Sequence, residues 1–292
     1  MQTFTIRDLE NLSGIKAHTI RIWEQRYNFL KPDRTETNIR YYNNDDLKVL
    51  LNIALLNKHG FKISHINEMN PKEINDNILS LKESEAKVDK ILNSLIECMI
   101  ELEMDKLEEI LNKYILKQGI KNAVIDIMFP FLERIGILWM TDHINPAQEH
   151  FISNIIRQKL IAGIDKLGTV TKVNEPVLLF LPENEHHELG LLFVNYLLKA
   201  KGITTIYLGA NIPIGDVEYV FKIKAPAYIY IHLIGPCPNF DFNKFITMAA
   251  KKFSSVPIVI SGERTQAYSR KLPKPVIFKR SMIEVMEFID NI

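Results

Sequence analysis

The stretch Val177-Leu178-Leu179-Phe180-Leu181-Pro182-Glu183-Asn184-Glu185-His186-His187-Glu188-Leu189-Gly190 reads as a buried strand, a polar loop and the start of a helix. Five consecutive apolar residues leave no polar face, so both sides of this strand are expected to be covered. The apolar run Leu189 to Ala200 then has helical length. Further short apolar runs follow at Ile203 to Leu208, Tyr228 to Ile234, Ile258 to Ile260 and Val276 to Phe278. Between them lie helical patterns at Gly215 to Ile223 and Phe242 to Phe253. Strands alternating with helices predict a doubly wound parallel sheet, Rossmann-like, over residues 172–292.

Upstream of Gly168 the period is helical throughout, with helices expected at Val88 to Leu102, Met104 to Gln118, Ile120 to Trp139 and Asn145 to Leu167. Short connections between four helices imply a bundle over 91–168. Residues 76–90 are rich in charge and poor in apolar side chains, which suits a linker or a linker helix. The first 75 residues carry shorter helices separated by turn signals. Thr5-Ile6-Arg7-Asp8 has a hydroxyl cap with an acid three residues on, and Ile6, Leu9 and Leu12 form one apolar face. Ser13-Gly14 breaks that helix. A second runs from Ala17 to Tyr27 with Ile20 and Trp23 inward, and Arg34 to Asn44 suits a short hairpin. Asp45 to His59 is a third helix, closed by Gly60. The expected fold is therefore multidomain, α and α/β.

Composition narrows the class. Hydrophobic residues make up 47% and charged residues 24% of the 292, with a net charge of +1. Residues 1–75 hold 11 Lys/Arg against 9 Asp/Glu, an excess too small to point to nucleic acid by itself. Cys98 and Cys237 stand far apart, so a thiolate metal site is excluded and reduced thiols are expected. With no apolar leader or spanning run, a soluble cytoplasmic protein is expected. No Ser/His/Asp set or phosphate-binding loop points to an enzyme.

Helix, Ser-Gly turn, helix is a helix-turn-helix layout, whose second helix enters the DNA major groove. Lys16, His18, Thr19, Arg21 and Arg26 supply its polar side, and Arg40-Tyr41-Tyr42 in the hairpin would press on the sugar-phosphate backbone as a wing. With Ser13-Gly14-Ile15, the run His18-Thr19-Ile20-Arg21-Ile22-Trp23-Glu24-Gln25-Arg26-Tyr27 and Arg40-Tyr41-Tyr42, this segment resembles the winged helix-turn-helix of the MerR family. The resemblance implies a transcriptional regulator that binds double-stranded DNA half-sites as a dimer or larger homo-oligomer.

The loop after Leu181 lies at the carboxyl edge of the predicted sheet, where open α/β folds bind ligands. There a histidine can offer one ring nitrogen to a metal while a carboxylate two residues earlier orients the other. Glu185-x-His187-x-x-Gly190 resembles the Asp-x-His-x-x-Gly signature of cobalamin-binding domains, which makes His187 the expected cobalt ligand and His186 its neighbouring competitor. The same resemblance assigns cofactor contact to Gly209, after the second strand. It also assigns His232, where the family often has Ser in Ser-x-Leu, and Ser261-Gly262, where it often has Gly-Gly. Histidine at 232 removes a small hydroxyl from the pocket for the nucleotide tail.

Trp139, nine residues, then Glu149-His150 resembles the Trp-x9-Glu-His signature of light-responsive MerR regulators of the CarH/LitR type. This implies adenosylcobalamin, a bundle capping the corrin, and roles for Trp139, Glu149 and His150 beside the adenosyl group. Met140 follows the tryptophan where some relatives have a histidine; His143 is an alternative. Two further readings stand beside this one: a MerR-type regulator with a degenerate, cobalamin-free sensory domain, and a corrinoid carrier subunit of a methyltransferase. The first 70 residues argue against the carrier.

Overall fold

The structure is a computed structural model of the chain and describes residues 3–27, 29–35, 37–81, 84–139, 145–168, 176–234 and 240–292. It divides into two compact units, Met1–Ile155 and Ile156–Ile292.

The first unit opens with α1 (Ile6–Ser13), whose amino end is closed by the capping box of Thr5 and Asp8. Gly14, in the left-handed region at φ 72°, stops it. α2 (Ala17–Arg26) follows and buries Ile20 and Trp23. β1 (Asp33–Arg34) and β2 (Arg40–Tyr41) form an antiparallel hairpin, and Phe4 and Tyr42 exchange two backbone hydrogen bonds beside it. α3 (Asn44–Lys58) begins with a second capping box, Asn43 with Asp46. α4 (Ile63–Glu68) is too short to have been read from periodicity. α5 (Pro71–Ser80) has Asn70 as cap and proline in its first turn, where a missing N–H costs nothing.

The segment 76–90 read as a linker is taken up largely by the end of α5 and the first turns of α6 (Ser84–Glu101). Some of its charges are structural partners. Asp89 on α6 receives Lys58, stands 3.5 Å from Arg134 Nη2, and lies 3.9 Å from His59 Nε2. Arg134 Nη1 also donates to Asn93 Oδ1 at 3.3 Å, and Asn93 Nδ2 to the Leu51 carbonyl at 3.3 Å. These bonds join α3, α6 and α8 (Phe129–Trp139), helices that also bury Leu51, Leu55, Leu92 and Ile135.

α7 (Met104–Ala123) has non-helical backbone at Gly119, with φ 79°, where the sequence broke one helix from the next. A π-helical turn at Val124–Met128 connects it to α8. α9 (Pro146–Asp165) runs across the division between the units.

The second unit is a five-stranded parallel sheet of β3 (Val177–Pro182), β4 (Thr205–Ile212), β5 (Tyr228–His232), β6 (Ile258–Ser261) and β7 (Val276–Lys279), in the order β4-β3-β5-β6-β7. Alternate residues sort between its faces. Leu178, Phe180, Ile229 and Ile231 pack with α11 (Ile214–Lys224) and α12 (Phe242–Lys252), while Tyr228 and Tyr230 meet Phe288 of α13 (Met282–Asp290). α10 (Leu189–Ala200) packs along β3 and β4. The order reverses between β3 and β5, so the loops leaving these two strands flank the switch point where such sheets bind ligands.

The Asp89 cluster is shielded enough to matter. Burial holds the Arg134 guanidinium below its ordinary pKa, and the Asp89 carboxylate works against that fall. Asp89→Ala is expected to destabilise the helical unit by about 1–3 kcal/mol, since it strands a partly desolvated arginine. Lys113→Ala, which removes only the exposed pair with Glu109, is expected to cost under about 0.5 kcal/mol. Hydrogen exchange of the α3 and α6 amides measures the difference.

Candidate DNA interface and ligand site

In α2, His18, Arg21, Gln25 and Arg26 are exposed while Ile20 and Trp23 face inward, so the helix shows one polar side to solvent. The amino end of α2 has no cap of its own. Glu10 of α1 reaches across the turn to accept from the Ala17 N–H at 3.0 Å and from Lys16 Nζ at 3.0 Å. Lys16 thus stands at the mouth of the helix, 71% exposed, and Thr19 is half-buried one turn on.

Arg40 departs from the simple wing reading. Its Nε donates to Glu24 Oε2 at 3.1 Å, and Tyr42 Oη donates to the other oxygen of the same carboxylate. Glu24 therefore locks the hairpin to α2, and Tyr41 beside it is half-buried. The sequence placed Glu24 inside the motif without a task. Its signal was an acid on an otherwise basic helix facing two hairpin residues.

In the second unit the loop after β3 is pinned to Asn211 of β4. Asn184 N–H donates to Asn211 Oδ1 at 2.9 Å, and Asn211 N–H returns a bond to the Glu185 carbonyl at 3.0 Å. The Glu185 side chain is wholly buried, and its Oε1 accepts from the His187 backbone N–H at 3.0 Å and meets His187 Nδ1 at 2.6 Å. A carboxylate only accepts, so Nδ1 carries the proton and Nε2 is the nitrogen suited to a metal. The His187 side chain is 63% exposed at the carboxyl edge of the sheet. An exposed imidazole with a buried carboxylate behind it fits the axial ligand of a metal that brings its other ligands with it, as cobalt in a corrin does.

Glu188, next in the loop, was missed by sequence reasoning. Its carboxylate accepts from Tyr207 Oη at 3.1 Å and stands 2.9 Å from Arg157 Nε, tying α9 to β4. Burial, with that carboxylate beside it, pushes the Tyr207 phenol well above its ordinary pKa. Gly209, at φ 88° within β4, lies near the same group: a Cβ there would stand 3.9 Å from Glu188 Oε2.

Four expected contacts, Gly190, His232, Ser261 and Gly262, behave differently from open pocket walls. A Cβ on Gly190 would lie 2.2 Å from His232 Nε2, so the room left by the glycine is filled by the His232 ring. His232 Nδ1 stands 2.8 Å from Ser261 Oγ, which in turn lies 2.6 Å from Tyr230 Oη. A Cβ on Gly262, at φ 99°, would lie 2.2 Å from the Leu233 carbonyl oxygen, so this glycine is needed for close passage of backbone. The crevice beside Gly190 therefore does not fit an inserted nucleotide base.

On the first turn of α9, His150 Nδ1 lies 3.3 Å from Glu149 Oε2 and the imidazole is largely exposed. Asn145 and Gln148 fasten that turn, with Gln148 Nε2 donating to the Met99 carbonyl at 3.1 Å. Trp139 is the last residue of α8, and its side chain lies outside the described set, as do Met140, His143 and Cys237. Among the described residues no helix is long and apolar enough to cross a membrane.

Burial holds the His232 imidazole down to about 4, against the opposing pull of Glu185, so it is neutral in the folded chain. The unfolded chain takes up this proton near pH 6.5. Stability is therefore present in full above about pH 6.5 and is lost as pH falls toward 4, by on the order of 3 kcal/mol. His232→Asn is expected to flatten that part of the pH dependence, measured as the urea midpoint of the sheet unit between about pH 7 and pH 4.5.

Comparison with known proteins agrees with this division of labour. Residues 4–72 match the family model described as MerR HTH family regulatory protein, and residues 91–162 match that described as B12 binding domain. The chain is 22% identical to the HTH-type transcriptional repressor CarH of Myxococcus xanthus, with 91% of each protein covered. It is 24% identical to the HTH-type transcriptional repressor CarA of the same organism, over 89% of this chain and 86% of that one. The monomethylamine corrinoid protein of Methanosarcina barkeri superposes on 70% of this chain and 99% of its own with a TM-score of 0.56 at 12% identity, which is a likeness of fold. The chain thus joins a MerR-type helix-turn-helix region to a B12-binding-domain region, and the relatives it matches over most of its length are named transcriptional repressors.

Proposed function

We propose that this regulator holds adenosylcobalamin through His187 and that the bound cofactor, and light acting on it, control self-association and operator binding. The observation that carries the reading is the Glu185–His187 pair: a buried carboxylate fixes the tautomer and direction of an exposed imidazole at the switch point of the sheet. The B12-binding-domain match over the bundle and the likeness to the CarH repressor support it.

The chain's residues divide the task. Glu185 keeps the proton on Nδ1 of His187 and so leaves Nε2 as the coordinating atom. Trp139, Glu149 and His150 are assigned to the adenosyl side, on the spacing of their motif. Lys16, His18, Thr19, Arg21 and Arg26 make the major-groove and phosphate contacts, while Arg40 and Tyr41 hold the wing against the backbone. When bound, adenosylcobalamin supplies a cobalt–carbon bond that visible light breaks. Control of DNA binding then follows from linkage: a ligand that prefers one assembly shifts the population toward it, and paired half-sites favour the assembly that spaces two wings correctly. The cobalamin-free sensory domain is the second reading, favoured by the filled crevice beside Gly190.

Purified protein mixed with adenosylcobalamin in the dark is expected to retain the corrin absorption through gel filtration and to change it on illumination. His187→Ala is expected to lose the shift produced by imidazole ligation. Retention of an unligated corrin spectrum by the unaltered chain, or none at all, contradicts the reading. On the DNA side, Arg21→Ala is expected to weaken duplex binding by about 1–3 kcal/mol if it reads a base. Fluorescence anisotropy at two salt concentrations separates that loss from a phosphate contact, which flattens the salt slope instead.

A further inference from the structure

His232 ends β5, next to β3 in the sheet, on the same strand face as Tyr230. Its ring lies against the Cα of Gly190, on the first turn of α10, closely enough that a methyl group at that glycine would overlap Nε2 and Cδ2. The ring is not a loose occupant. Nδ1 is 2.8 Å from Ser261 Oγ, that hydroxyl is 2.6 Å from Tyr230 Oη, and both Ser261 and Tyr230 are buried. Removing the imidazole from this position leaves Ser261 short of a partner in a dry environment, which resists displacement. Nearby, the backbone of Gly262 is pressed on that of Leu233.

The consequence concerns which corrinoid fits, and it rests on the reading that His187 ligates the metal. Complete cobalamin carries its own benzimidazole base on a nucleotide arm, and that base competes for the same axial position. If His187 takes the position, the arm swings away and its base needs a cavity near the loop. Open α/β sheets take ligands at the switch point, and there this chain fills the space beside Gly190 with its own imidazole.

We infer that His232 is a specificity-determining residue: it excludes the nucleotide base from the sheet crevice, so that the chain binds corrinoids through the ring and its substituents and gains little from the base. It follows that a corrinoid lacking the nucleotide base is accepted as well as the complete cofactor. It also follows that a small residue at position 232 opens the crevice and restores a preference for the base.

The test is a titration of the full chain in the dark with adenosylcobalamin and with adenosylcobinamide, which lacks the base, followed by absorbance. The unaltered protein is expected to bind the two within about threefold of each other. His232→Ser is expected to tighten adenosylcobalamin by tenfold or more and to leave adenosylcobinamide unchanged. An unaltered protein that already prefers adenosylcobalamin by tenfold or more overturns the inference, and needs no variant to do so. If His232→Ser binds adenosylcobalamin while the unaltered chain binds neither compound, the filling of the crevice stands and the cofactor reading of the natural chain falls. If neither protein binds either compound, both fall.

Discussion

A carboxylate taken wholly out of water must be met by hydrogen-bond donors, and Glu185 is such a group. The donors come from two residues on, where His187 supplies both its backbone N–H and its ring. That requirement shapes the loop after β3, and with it the direction of the His187 imidazole at the edge of the sheet. The clasp between Asn184 and Asn211 holds the loop to β4, and the Glu188 contacts with Tyr207 and Arg157 extend the same polar frame to α9. An imidazole held this way is pre-oriented, so a metal meeting it loses little to ordering of the side chain.

The DNA-binding region obeys a parallel logic with other residues. Glu10 caps α2 from the preceding helix, and Glu24 ties α2 to the hairpin through Arg40 and Tyr42. Recognition helix and wing are thereby held as one rigid element, which is what reading a groove and gripping the adjacent backbone together demand. Behind them the Asp89 cluster links α3 to α6 and α8. For the proposed control by a cofactor, α8 is the candidate link. α8 ends at Trp139, and Arg134 of the same helix is bonded to the residues that support α3. Coupling through such a route needs two arrangements of one packed element, each preferred by a different ligand state.

Much of this architecture was legible in the chain. The Thr5–Asp8 and Asn70–Pro71 caps, the break at Gly119 and the apolar runs of the sheet are local signals, and local signals survive into the structure. The Glu185–His187 pair was legible because its two members are neighbours in sequence. What escaped is non-local. Asp89, read as one charge in a linker, is a hub because Lys58 and His59 at the end of α3 and Arg134 of α8 converge on it. The second task of Arg40, its bond to Glu24, shows only once α2 and the hairpin are folded together. The departure at His232 was visible as an exchanged residue, but its effect was not, since strand and helix must be folded before its ring is found against Gly190.

The central claim is one nitrogen–cobalt bond, and it has a direct spectroscopic signature. Reduce the corrinoid bound to the full chain to its paramagnetic Co(II) state and record electron paramagnetic resonance from protein grown on ordinary and on nitrogen-15 histidine. Ligation by His187 predicts triplet splitting from the ordinary protein that becomes doublet splitting on labelling, and that disappears in His187→Ala. A triplet untouched by the label means that the corrinoid's own base, not this histidine, holds the metal, and contradicts the account.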